Sequence, residues 1–164
     1  RSTLFPYTTL FRSDGHSFSM AGIKTSDGVW FLADCVTNAQ ILEKYHIFFL
    51  YDLKGFLDTL DKVEELEGKL FIPSHSEPMD DIKPLVELNR RKVKEIIELL
   101  MSIVRESKSF EDILKDVFDH YGLRMDFNQY VLVGSTLKSY LAYLKDNSKI
   151  TVDFIDNKLL WKAV

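Results

Sequence analysis

Val29-Trp30-Phe31-Leu32-Ala33 is apolar at every position and runs into a carboxylate at Asp34. A strand with no polar position has no face to offer water, so both sides of this one are expected to be covered. That points to a layered α/β architecture. Just before it, Ile23 and Thr25 lead into Ser26-Asp27-Gly28, a turn signal, so "AGIKTSDGVWFLADC" reads as a hairpin whose second strand stops at Asp34.

Further along, the pattern alternates between short strands and amphipathic helices. "TNAQILEKY" is a short helix capped by Thr37 or Asn38. Asp52 caps a second helix, with Leu53, Phe56, Leu57, Leu60, Val63 and Leu66 on one face and Gly68 as its stop. "KLFIP" is a strand that Pro73 breaks, leaving Ser74-His75-Ser76 at its end. Pro84 opens a long helix, Ser109 caps the next, and Gly122 closes it. "DFNQYVLVGSTLKSYLAYL" supplies one or two more helices, and "KITVDFIDNKLLWKAV" a hairpin turning near Asp156-Asn157. From about residue 105 the order of helices then hairpin is that of a small winged-helix-like module.

Three polar residues stand where a strand meets a loop: His16 after Gly15, Asp34, and His75. Strand ends are places where a rigid scaffold holds functional groups. Imidazole nitrogen with carboxylate oxygen suits zinc, and also iron or manganese. The spacings, 18 residues from His16 to Asp34 and 41 from Asp34 to His75, are too long for a local metal loop, so the fold must assemble any site. Each residue also has a plainer reading, a surface or capping histidine and an aspartate that satisfies loop amides. His46, in the connector "KYHIFF", and His120, near a helix C-terminus, read as structural. Cys35 reads as a buried apolar side chain, because adjacent strand residues face opposite ways.

"DGHSFSMAGIKTSDGVWFLADC", followed about forty residues later by "FIPSHSE", resembles the C-terminal half of a metallo-β-lactamase-fold hydrolase. The resemblance covers residues 14–77 and implies half of a four-layer αββα sandwich, extended at its C-terminus by a helical, winged-helix-like region. It implies two divalent metal ions, with zinc first and iron or manganese as alternatives. His16 would complete the first metal's histidine set, Asp34 would bridge both metals, and His75 would serve the second. A metal-bound hydroxide would then be the nucleophile, with Asp34 as the catalytic carboxylate. The resemblance implies hydrolysis of thioesters, lactams, lactones or phosphodiesters, and modest size with acidic charge favours a small ester or thioester, as in hydroxyacylglutathione hydrolases. The pattern departs at Ala33 and Ser74, where most relatives carry glycine.

The family's other hallmark, a His-x-His-x-Asp-His cluster, has no counterpart here: the four histidines, at 16, 46, 75 and 120, are never closer than 29 residues. In its place, Thr3–Ser13 resembles a translated sequencing adapter, which sets residues 1–13 aside from fold reasoning. The expected organisation is therefore 1–13 artefact, 14–84 the C-terminal half of a metallo-β-lactamase-like domain, and 85–164 a helical, winged-helix-like region. The chain is expected to be an inactive part of a parent enzyme, with an apolar sheet face left open.

Bulk properties bound the alternatives. A net charge of −4 gives no general affinity for nucleic acid, and no apolar run approaches a membrane span. The single cysteine fits a reducing cytoplasm. The competing reading is a nuclease, or a module that binds nucleic acid or a partner through its C-terminal end, although its last helix offers only Lys138 and Lys145. Small-molecule substrate, no membrane and a possible homodimer complete the expectations.

Overall fold

The computed structural model describes residues 9–164. Strands β1 (Thr9–Arg12), β2 (Ala21–Lys24), β3 (Val29–Thr37) and β4 (Leu70–His75) form one sheet in the order β1-β2-β3-β4. β1, β2 and β3 are antiparallel neighbours, whereas β4 runs parallel to β3. Helices α1 (Ala39–Tyr45) and α2 (Leu53–Glu64) make up most of the β3–β4 connection, as a parallel crossover requires. The long α3 (Lys83–Ile103), α4 (Phe110–Tyr121) and α5 (Phe127–Asp146) follow, and β5 (Ile150–Ile155) with β6 (Lys158–Ala163) close the chain as a hairpin.

Local chemistry explains most boundaries. Asn38 caps α1 by accepting from the Ile41 amide at 2.9 Å, and Ser109 caps α4 by accepting from Asp112 at 3.2 Å. Gly122 ends α4 in the left-handed conformation that its missing Cβ permits. Asp156 and Asn157 both take positive φ at the β5–β6 turn.

Three expectations change. β3 does not stop at Asp34 but continues to Thr37, because Ala33 adopts φ +52° and the pairing with β4 shifts register on either side of it. α2 ends at Glu64, so Gly68 is not its cap. Gly68 instead lies against the Trp30 indole, where a β-carbon would sit 2.6 Å from Cδ1. The third concerns the two covered faces that the strand's own apolar pattern suggests: among the described residues β3 is covered on one side, and the other is the open apolar face expected of half a sandwich. Trp30 and Leu32 are buried, while Leu10, Ile23 and Phe31, paired across β1, β2 and β3, are 69%, 43% and 48% exposed.

The adapter-like stretch Thr3–Ser13 lies outside the described residues as far as residue 8. Its second half forms β1, where Phe11 packs edge-on against Trp30 with ring centroids 6.2 Å apart. This strand takes up the hydrogen bonds that β2 would otherwise leave open along its edge.

The covered face packs on α2 and α3, and the same buried cluster runs on through α4 and α5. It crosses the expected boundary at residue 84 without a break. Two side chains of α5 fasten the connector and the start of α2: Thr136 Oγ1 accepts from Leu50 N at 3.0 Å, and Ser139 Oγ from Leu53 N at 2.7 Å. The terminal hairpin is tied back through a bridge between Lys108 and Trp161. Among the described residues no helix is long and apolar enough to cross a membrane.

Candidate functional site

His16, Asp34 and His75 meet at the end of the sheet where β3 and β4 have their C-termini, the side on which open α/β sheets hold ligands. The Asp34 carboxylate lies between the two imidazoles. Its Oδ2 is 3.7 Å from His16 Nε2 and its Oδ1 is 3.4 Å from His75 Nε2.

Each side chain is held by a different device. His16 follows Gly15, whose φ is +126° and whose Cα faces the first turn of α2; a β-carbon there would lie 2.4 Å from Phe56 N and Cα. Only glycine lets the loop approach this closely. The Gly15 carbonyl accepts from Tyr51 N at 2.8 Å and Asp52 N at 2.9 Å, and Thr59 Oγ1 donates to Asp14 O at 2.7 Å. The His16 ring is oriented by Nδ1, which donates to the Phe49 carbonyl at 3.0 Å. A carbonyl only accepts, so Nδ1 carries a proton and Nε2 is the atom turned to Asp34. This is the arrangement by which proteins orient metal-ligating histidines.

Asp34 owes its direction to Ala33. In a regular strand the buried positions 30 and 32 would be followed by 34; the left-handed residue breaks this alternation, so Asp34 stays one-third exposed while Cys35 is fully buried. Burial pushes the Cys35 thiol up to about 12, which keeps it protonated, in line with a buried apolar side chain. His75, paired with Thr37 at the end of β4, is half exposed.

The donor set can be tested against a cation. Both nitrogen–oxygen separations exceed the range of about 2.7–3.2 Å for a direct hydrogen bond. A cation bound at about 2.0–2.2 Å to each donor, at tetrahedral or slightly wider angles, separates them by about 3.3–3.7 Å. The donors therefore fit in type and in spacing. They do not suffice in number: among the described residues no group of three or more His, Cys, Asp or Glu is disposed to hold a metal ion. The two histidines address different oxygens of Asp34, which gives two half-sites of two donors each, whereas a catalytic zinc has three protein ligands.

The clamp that secures this strand end was not foreseen. Asn89, fully buried on α3, grips Thr37 at both its backbone groups: Oδ1 accepts from Thr37 N at 3.1 Å and Nδ2 donates to Thr37 O at 2.8 Å. A second Nδ2 bond, at 2.8 Å to Leu85 O, fixes the amide plane. In the sequence Asn89 only heads the basic run "NRRKVKE"; an uncharged amide on the buried stripe of that helix was the available signal. Elsewhere in the run, Arg90 bridges Asp61 and Glu64 of α2 at 2.8 and 2.9 Å. His46 and His120 lie away from the site, the first stacked on the Tyr121 ring at 4.6 Å and the second edge-on to it at 4.8 Å.

Beside the triad opens a cavity of about 320 Å³. His16, Asp34, Thr37 and His75 line it together with a largely apolar wall from α1, the following connector and the first turns of α5. Thr37 Oγ1 is buried and has no hydrogen-bond partner.

No protein-family profile matches the chain, and no curated protein does. Solved structures do. The chain is similar to a β-lactamase domain protein from Burkholderia ambifaria, with a TM-score of 0.75 and 16% identity over 96% of this chain and 48% of that one. It is also similar to a metallo-β-lactamase family protein from Thermus thermophilus, with a TM-score of 0.71 and 16% identity over 96% of this chain and 49% of that one. The fold is thus of the metallo-β-lactamase kind, and the chain spans about half the length of the structures it matches.

Proposed function

We propose that this chain carries the bridging half of a two-metal hydrolase centre, in a parent enzyme that cleaves small esters or thioesters in the manner of hydroxyacylglutathione hydrolases. The observation that supports it most directly is the carboxylate of Asp34 offering one oxygen to each of two imidazoles at cation-spanning distances. The likeness in fold supports the same class of chemistry. In this reading His16 and Asp34 would hold one divalent ion, and His75 and Asp34 the second, zinc being the first choice for such donors. Bound there, the ions would supply a water of lowered pKa and polarise the scissile carbonyl.

The chain's own residues do the positioning. The Phe49 carbonyl fixes the His16 tautomer, Gly15 sets the loop against α2, and Asn89 anchors the strand end behind Asp34. In the overall reaction, water oxygen bonds to the acyl carbon, the carbon–sulfur or carbon–oxygen bond breaks, and the departing thiol or alcohol takes a proton. With two donors per ion the isolated chain is an inactive part of that centre; the remaining ligands would come from a His-x-His-x-Asp-His segment of the parent. Residues 85–164 would form the winged-helix-like region, supported by the order α4, α5, hairpin and by the bridge from Lys108 to Trp161. A reducing cytoplasm is the proposed location.

Equilibrium dialysis of the 164-residue chain against zinc tests this reading. Weak zinc uptake, in keeping with two donors per ion, is expected, falling further in Asp34→Ala than in His16→Ala or His75→Ala. Uptake unchanged by Asp34→Ala would refute the site. Salt-dependent binding of nucleic acid that survives chelation would favour a binding module instead.

A further inference from the structure

We infer that the cavity beside Asp34 is an acyl-chain pocket, taking the apolar chain, about eight carbons long, of the ester or thioester whose carbonyl is presented at the triad. The assignment of a carbonyl to the triad rests on the hydrolase reading above; the occupancy of the cavity by an apolar chain does not.

Three observations carry it. The wall is built from Ile41 and Tyr45 of α1, Ile47 and Phe48 of the connector, and Leu132 and Val133 of α5, with the polar atoms gathered at the triad and at Thr37 and Gln129. A site of that kind, mostly apolar with a few convergent polar groups, is the ordinary form of a small-molecule pocket. The volume also selects the ligand. A cavity of about 150 Å³ lined by Leu, Ile and Phe takes benzene, and this one, at about 320 Å³, is roughly twice that size. It therefore accommodates an acyl group of about eight carbons with its carbonyl, but exceeds what an acetyl group would fill. Finally, the mouth is lined by large apolar side chains left in water, with Tyr45 45% and Leu132 48% exposed. A chain entering the cavity would cover them, and removing apolar surface from water favours its binding.

Binding of 1-octanol, a neutral probe that needs no cation, tests the pocket, with ethanol as the short-chain control. The readout is methyl NMR of the isotopically labelled chain. Saturable shifts at Ile41, Ile47 and Val133 are expected at octanol concentrations where ethanol produces none. Leu132→Asp, which places a carboxylate at the mouth, should weaken octanol at least tenfold, as should Val133→Phe, which fills the cavity. Leu132 is half exposed, so the first variant carries the test even where the second disturbs packing. Absence of saturable shifts would overturn the inference. So would shifts confined to the open sheet row of Leu10 and Ile23, or affinity unchanged in a well-folded Leu132→Asp. Octanol binding together with zinc uptake indifferent to Asp34→Ala would sink the hydrolase reading and leave the apolar pocket standing.

Discussion

Replacing Asn89 by leucine keeps nearly the same volume but removes the clamp on Thr37. The amide makes three hydrogen bonds, two to the Thr37 backbone and one to Leu85 O. Leu85 lies within α3, so its carbonyl keeps its helical partner. Thr37 N–H and C=O lose theirs inside a region where Asn89 itself is fully buried. An unsatisfied buried group costs about 1–3 kcal/mol, so two cost about 2–6 kcal/mol. Leucine's greater apolar burial offsets part of this, and we expect a net loss of about 3 kcal/mol. For a domain of this size that is a fall in Tm of roughly 6–12 °C. Urea melts give the energy, and hydrogen exchange of the Thr37 amide gives the location. Protection at Thr37 should collapse well below the unfolding transition, and zinc affinity should drop with it because Asp34 sits three residues away on the same strand. A loss below about 1 kcal/mol, or Thr37 protection equal to that of the parent chain, would refute the clamp.

Two further outcomes follow from the strand itself. Ala33→Gly should stabilise the chain by about 0.5–1 kcal/mol, since a left-handed alanine costs roughly 1–2 kcal/mol and the added flexibility of glycine returns only part of it; a lowered Tm would contradict the reading of the bulge. Cys35 should resist thiol reagents at pH 8 until the chain is unfolded. Its buried thiol holds a proton that the unfolded chain releases near 9, so the stability it confers is full below pH 9 and declines between about 9 and 12, by up to about 1.4 kcal/mol per pH unit. Melts of Cys35→Ala should lack the decline that begins near pH 9, and an identical decline in both chains would place the cause elsewhere.

Much of this molecule was legible in the order of its residues. Asn38, Ser109 and Gly122 cap their helices, and Asp156-Asn157 turn the last hairpin, because each acts on backbone groups no more than a few residues away. His16, Asp34 and His75 could be singled out as polar residues beside loops and apolar strands, although β3 runs on to Thr37 rather than ending at Asp34. The resemblance to metallo-β-lactamase-fold proteins extended these into an expected site, and the solved structures match the fold.

Other features depended on contacts between distant parts of the chain. Gly68 looked like a helix stop and proved to be room for Trp30, because what it touches is a side chain thirty-eight residues earlier. β3 is apolar on both faces, yet hydrophobicity states only what a strand would prefer to bury, and among the described residues one face stays open, as half a sandwich would leave it. The continuation of β3 past Asp34 depended on pairing with β4, and its anchoring on an amide fifty-two residues away in α3. The cavity draws its walls from α1, the connector and α5, which no spacing rule relates. The sequence by itself determined the helices, the turns and the three residues worth watching, since those follow from short-range hydrogen bonding and periodicity. Where Asp34 points, what holds it and what space opens beside it were decided by tertiary packing, because those depend on groups that only folding brings together.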